Sequence, residues 1–434
     1  QRIFEMMANY DGIANYRIKG EITKEVKKMQ LVRQAQTITA DSGNVTFALQ
    51  TDGGEPLNTG GNPNMKVVFH DILNVKPSLG EYVDKVKEET QSDKNTICVI
   101  PSPDYASEIQ QAAETILRIL YIKDVPNLTD EEKKVVAEIV GTLEDKTRQL
   151  EQAIVKSYDE GRLVYLYNVS IMQQQNAPQI IKDTELKMYD NIYTKRLGGT
   201  IKDSIALQLM KVGANQLQNI IGSQPDFQFF DTSGQFIGDQ LPVITEIMAH
   251  TATYNSGADL ERNLGAAPTG YTFGTIFSTL AALFRASKII IKYNNQEYHS
   301  WQQDGAKEPF MTARNFQRAS FKAVTKSLGY NEKRNIVDTL KDCNFKQLTG
   351  GNLSYNMNDF ELVDAIRLLA VTEIQKVNNN ICNDDERERL FRLSIAAKDL
   401  LLQYAKTVTD TNYFTTARTF LNDNDNEEFV NAID

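Results

Sequence analysis

Along residues 240–301 the spacing of apolar positions changes from a helical period to a strand period, and that change marks the most legible module in the chain. Residues 241–254 carry Leu241, Ile244, Ile247 and Met248 on one helical face, and Gly257 opens a second helix, ADLERNL. The loop GAAPTGYTF holds two glycines and a proline, so it turns the chain instead of continuing a helix. The third helix, GTIFSTLAALFRA, lines up Ile276, Phe277, Leu280, Ala281 and Phe284 in one stripe. Its outward positions are then Thr275, Ser278, Thr279, Ala282 and Arg285. KIIIKY and QEYHSW follow at period two around Asn294 and Asn295, which tolerate the positive φ of a tight hairpin turn. Three short helices and a two-stranded ribbon predict a winged helix-turn-helix, whose third helix can enter a groove with the ribbon beside it.

Before this module the pattern mixes strands and helices. Residues 21–36 read as a Lys- and Glu-rich helix, and a turn at Asp41 and Ser42 leads into NVTFALQ, a strand. The glycine-rich TDGGEPLNTGGNPN that follows could cradle a phosphate through converging backbone N–H groups. It runs into the strand MKVVFHD, however, and lacks the Lys-Ser/Thr that leads a phosphate loop into a helix, so a flexible strand-to-strand connection is expected. A helix over residues 79–90 precedes NTICVI, a run suited to burial on both faces of a sheet. Ser102 and Pro103 start the next helix. Thr129 with Glu132 has capping-box spacing and opens a periodic run that ends at Gly161, a residue able to take the left-handed terminating conformation. LVYLYN is then a strand, so a strand, a long helical hairpin and a strand follow one another. The alternating charges of residues 130–148 suit a solvated helix face, or more sharply a coiled-coil contact.

Two helices are expected between residues 177 and 219. After the module the chain reads as helical to its end. TARNFQRASFKAVTKSLG predicts one amphipathic helix with Arg314, Arg318, Lys322, Lys326 and, just beyond, Lys333 on and around its polar side. DFELVDAIRLLAVTEIQKV and ERERLFRLSIAAKDLLLQYAKTV are two more, joined by the loop NNNICNDDE, and the acidic close LNDNDNEEFVNAID is free to fray. The fold class expected is therefore α+β and predominantly helical. Residues 1–200 form an α/β domain with a long helical hairpin, 201–302 a helical linker and winged helix, and 303–434 a helical bundle.

With 434 residues and 41% hydrophobic content, several cores are expected and can be filled. No apolar run reaches the length of a bilayer span and no secretory apolar segment opens the chain, which points to a cytoplasmic protein without a membrane role. The chain starts without Met in what reads as the middle of a helix, the look of a piece of a larger polypeptide. Cys98, Cys343 and Cys382 are too widely spaced for a disulfide framework or a zinc site and are expected as buried thiols. His70, His250 and His299 lie in three separate segments, and no Walker loop, G-x-S-x-G elbow or paired Cys-x-x-Cys occurs. Asp384, Asp385 and Glu386 are explained by an acidic helix start. No catalytic residue, cofactor or metal is expected.

The net charge of −10 repels a phosphate backbone, and residues 240–301 are neutral, with Glu246, Asp259, Glu261 and Glu297 set against Arg262, Arg285, Lys288 and Lys292. Arg285, Lys288 and Lys292 nonetheless fall where a docked duplex would meet phosphate contacts, flanked by Tyr293 and Tyr298. Thr275, Ser278 and Tyr271 complete the candidate nucleic-acid face. No Arg, Asn or Gln is placed to read base edges, so contact would be non-specific, and protein docking is the equal alternative.

The segment GADLERNLGAAPTGYTFGTIFSTLAALFRASKIIIKYNN, with Pro268, Gly270 and Tyr271 as its specific part, resembles a region of the large P-loop ATPases of bacteriophage exclusion (BREX) systems. The run from TICVIPSPDYASEIQQAAETILRIL to LEDKTRQLEQAIVKSYDEGRLVY is similar to the strand, helical hairpin and strand upstream in those proteins, giving a likeness over about residues 95–300. That family's ATPase is an N-terminal module with a Walker motif, which this chain lacks, so no catalytic residue carries over. The resemblance implies a non-catalytic region of an antiphage-defence ATPase that contacts duplex DNA non-specifically and assembles with other defence proteins or copies of itself. The alternative is a structural scaffold or oligomerisation module with no nucleic-acid role.

Overall fold

The structure is a computed structural model that describes residues 1–434 except 41–42, 76–77, 174–175, 223, 380–396 and 434. The expected turn at Asp41 and Ser42, Cys382, the acidic Asp384, Asp385 and Glu386, and the start of the helix expected from residue 386 lie outside the described residues. The fold is α+β, in two compact units, Gln1–Arg196 and Leu197–Asp434. Residues 201–302 and 303–434 both fall within the second unit, whose sheet takes strands from each. Among the described residues no helix is long and apolar enough to cross a membrane.

The first unit opens with helices α1 (Arg2–Ala8), α2 (Asn15–Val26) and α3 (Gln30–Gln34) and builds a six-stranded sheet. Its strands are β1 (Thr37–Ala40), β2 (Gly43–Thr51), β3 (Asn62–Phe69), β4 (Thr96–Ile100), β5 (Arg162–Tyr165) and β6 (Asn168–Ile171), side by side in chain order. β2, β3 and β4 are parallel, and β1, β5 and β6 pair antiparallel with their neighbours. Helix α4 (Leu79–Thr90) crosses from β3 to β4. Helices α5 (Ala106–Lys123), α6 (Asp130–Gly141) and α7 (Leu143–Asp159) lead from β4 to β5, and α8 (Ala177–Ile192) closes the unit. Because side chains alternate along a strand, β4 is buried on both faces. Ile97 and Val99 join the core with α2, α5, α7 and α8, while Cys98 and Ile100 meet Val83 and Val86 of α4.

The Thr129–Glu132 capping box forms, but the helix it opens ends at Gly141 and restarts after Thr142, so the expected hairpin is three helices. Gly161 follows the α7 C-cap, Glu160, without a positive φ; a Cβ there would run into the Ile100 carbonyl, so close strand approach is what requires glycine. LVYLYN is a strand and a turn rather than one strand: Leu166, at φ 54, turns the chain into β6. The glycine-rich loop does join two strands. It is tied down by Asn58, whose side chain accepts from Leu49 N–H and donates to the Phe47 carbonyl, both at 2.8 Å.

The second unit contains α9 (Ser204–Leu209), α10 (Leu217–Ile221), α11 (Pro242–His250), β7 (Asn255–Ser256), α12 (Gly257–Gly265) and α13 (Phe273–Arg285). Strands β8 (Ile289–Tyr293) and β9 (Gln296–Tyr298) form the expected hairpin, with Asn294 and Asn295 at φ 50 and 63. Helix α14 (Ala313–Arg318) precedes β10 (Ser320–Ala323), and the sheet order is β7-β10-β8-β9. The single helix expected over residues 312–329 is therefore corrected. SFKA has strand period, Phe321 and Ala323 are buried, and pairing with β7 and β8 on both sides outweighs the helical tendency of the flanks. Helices α15 (Tyr330–Asp342), α16 (Phe345–Thr349) and α17 (Asp359–Asn379), with Tyr413–Phe420 and Asp423–Ile433, share a further core that includes Ile336, Leu340, Ile366, Leu369 and Phe420. Cys98 and Cys343 are buried.

Candidate functional site

Helix α13 begins at the N-cap Thr272, whose side chain accepts from Thr275 N–H, and it runs through the middle of the second unit. Every residue from Thr275 to Phe284 is buried, so the outward stripe expected at Thr275, Ser278, Thr279 and Ala282 is covered. The cover is the segment around residues 201–203. Ile201 N–H donates to Thr275 Oγ1 at 3.2 Å, Ser278 Oγ donates to the Lys202 carbonyl at 2.8 Å, and a Cβ on Gly274 would strike the Ile201 carbonyl. These hydroxyls satisfy backbone groups inside the fold. Tyr271 is also buried, and burial pushes its phenol up to about 12.

The basic candidates are divided among separate tasks. Arg285 turns inward: Nη2 donates to the Val212 carbonyl at 3.1 Å and the guanidinium lies 3.2 Å from the centroid of Trp301, while burial lowers its pKa to about 10. Lys288 pairs with Asp239 at 2.9 Å and lies over Phe236. Lys292 is exposed, with Nζ 4.7 Å from the Tyr254 ring centroid. Tyr293 and Tyr298, expected to flank them, are buried. The six candidates do not form one open cationic face.

Two polar clusters escaped the sequence reading. On the hairpin, Glu297 accepts from Tyr254 Oη at 2.9 Å and from Asp410 N–H at 3.0 Å, and meets His299 Nε2 at 2.5 Å. Burial alone would raise its pKa, but the hydrogen bonds from His299, Tyr254 and Asp410 outweigh it and bring the carboxyl to about 2. Lys322 pairs with Asp410 at 2.6 Å. The second cluster lies at the carboxyl ends of β2, β3 and β4. There the chain leaves β3 over the α4 face and β4 over the opposite face. His70 Nδ1 lies 3.0 Å from Tyr82 Oη and 3.8 Å from Asp52, and Lys19 pairs with Asp71 at 3.1 Å. The signal was present in the sequence, since QTD and FHD close two of the expected strands.

Neither cluster presents an activated nucleophile. Burial lowers His70 against the opposing pull of Asp52, and burial raises both Tyr82 and Cys98 to about 12, so phenol and thiol stay protonated at neutral pH. The described residues hold no group of three or more His, Cys, Asp or Glu side chains placed to bind a metal ion. Compared with known proteins, the chain matches no family model, no curated protein and no solved structure.

Proposed function

We propose that this chain is a non-catalytic assembly region that docks proteins, set within a larger antiphage-defence ATPase of the kind its sequence resembles. We read the succession α11, β7, α12, α13, β8, β9 as a winged-helix plan with β10 added between β7 and β8. Such a plan serves either groove insertion or protein docking. The observation that favours docking is the burial of α13 from Thr275 to Phe284, which leaves no helix face for a groove, while Arg285 bonds inward to the Val212 carbonyl.

The test is a titration of labelled duplex DNA at low and at physiological salt. Binding is expected to be weak and unchanged by Lys292→Ala. Salt-dependent binding whose log–log slope falls by about 1 in that variant would restore the DNA reading. ATP hydrolysis by the purified chain is expected at background, and turnover above background that co-purifies with the chain would overturn the non-catalytic one.

A further inference from the structure

Strand β6 ends the first unit's sheet, and among the described residues no strand pairs with its outer side. The bond from Met172 N–H to the Gly161 carbonyl, with the register Val164↔Val169 and Leu163↔Ser170, fixes the phase of the ladder. Asn168, Ser170 and Met172 bond inward to β5, so Val169 and Ile171 turn their N–H and C=O groups to the open edge. Their side chains lie on the same sheet face as Val164, which is buried with Val83 and Val86 of α4. On that face Val169 lies beside Val164 and Ile171 beside Arg162; Val169 is 40% exposed and Ile171 58%, with Tyr167, in the turn before them, at 66%. Natural sheet edges are protected by charge, proline or a bulge, and residues 167–171, YNVSI, contain no charge and no proline.

We propose that β6 pairs antiparallel with β6 of a second copy of this chain, about a two-fold axis at Ser170. The backbone phase permits this register. Val169 of one copy then lies opposite Ile171 of the other, both outward residues of each strand exchange N–H···O=C bonds, and no outward group on β6 is left unused. On the shared face Val169 and Ile171 form two branched cross-strand pairs. A charged partner strand would gain nothing from YNVSI, whereas the strand itself opposes no like charge. The inference rests on the assembly reading and names its partner.

Sedimentation equilibrium of the full chain tests it, over concentrations bracketing a dissociation constant of roughly 10 µM, the weak range a small interface supports. A monomer–dimer equilibrium is expected. Ile171→Lys and Val169→Pro are each expected to weaken it by about 30-fold or more, the first by setting a lysine against Val169 in both cross-strand pairs and the second by deleting an outward N–H that β5 does not use. Far-UV circular dichroism confirms that both variants fold. Independently of any variant, amide exchange at Val169 and Ile171 is expected to slow as wild-type concentration rises. A wild type that stays monomeric throughout, a dimer that both folded variants leave intact, or concentration-independent exchange at these amides would each overturn the pairing. A monomer that still shows no DNA binding overturns this inference while the assembly reading stands.

Discussion

Glu185, on the inner face of α8, is fully buried, and neither carboxyl oxygen has a hydrogen-bond partner among the described residues. Burial raises its pKa from 4.5 to about 9, with Lys182 opposing only in part. The folded chain therefore carries a proton at neutral pH that the unfolded chain has released. Each tenfold in proton affinity is about 1.4 kcal/mol, so holding that proton costs the first unit about 3 kcal/mol at pH 7. A raised acid contributes full stability below its unfolded pKa and loses it as pH rises through the folded one. Stability should thus fall by about 1.4 kcal/mol per pH unit between pH 5 and about 9 from this group alone. Glu185→Leu removes the titration and buries a similar volume without a stranded polar group. It should stabilise the first unit by about 1–2 kcal/mol at pH 4.5 and by about 4–5 kcal/mol at pH 7. The assay is urea unfolding across pH, read by amide exchange in peptides from α8. Fluorescence of Trp301, the only tryptophan, lies in the second unit and should not respond. A Glu185→Leu gain that is the same at pH 4.5 and pH 8, or a variant less stable than wild type at pH 8, would refute the assignment.

Three further outcomes follow from the second unit. Glycine to alanine on an exposed helix stabilises by up to about 1 kcal/mol, whereas Gly274→Ala should destabilise by about 3 kcal/mol because its Cβ would strike the Ile201 carbonyl; chemical denaturation gives the sign. Arg285→Ala should cost about 2 kcal/mol by stranding the Val212 carbonyl and uncovering Trp301, and tryptophan emission should shift to longer wavelength. Glu297, held near 2, contributes stability that is complete above its unfolded value of 4.5 and lost as pH falls toward 2. Glu297→Gln should therefore flatten the acid limb of a Trp301-monitored melt, and an unchanged limb would count against the hydrogen-bonded carboxylate.

Much of the fold was legible because period and turn chemistry agreed. The Asn294–Asn295 hairpin, the capping box at Thr129 and the doubly buried NTICVI each follow from a local rule that tertiary structure did not override. The misses arose where a long-range contact set the outcome. Residues 320–323 became a strand because β7 and β8 lay on either side to pair with them, and neither neighbour is visible in a local window. Gly161 looked like a helix terminator, yet the reason for it is the carbonyl of Ile100, far away along the chain.

The third helix shows why the site was harder to read than the fold. Thr275, Ser278, Thr279 and Ala282 are the small and hydroxylated residues that amphipathic analysis assigns to solvent, because they carry little apolar surface. The same residues are also what a helix needs where a second backbone lies against it. They are short enough to admit residues 201–203, and two of their hydroxyls bond Ile201 N–H and the Lys202 carbonyl. The two environments are therefore degenerate in sequence, and Gly274 breaks the degeneracy. Glycine costs helix stability in solvent, so its presence at the start of α13, on the covered side, is explained by close backbone approach. Weighed together with the small side chains, that glycine points to a packed face, and a packed face points away from a DNA groove.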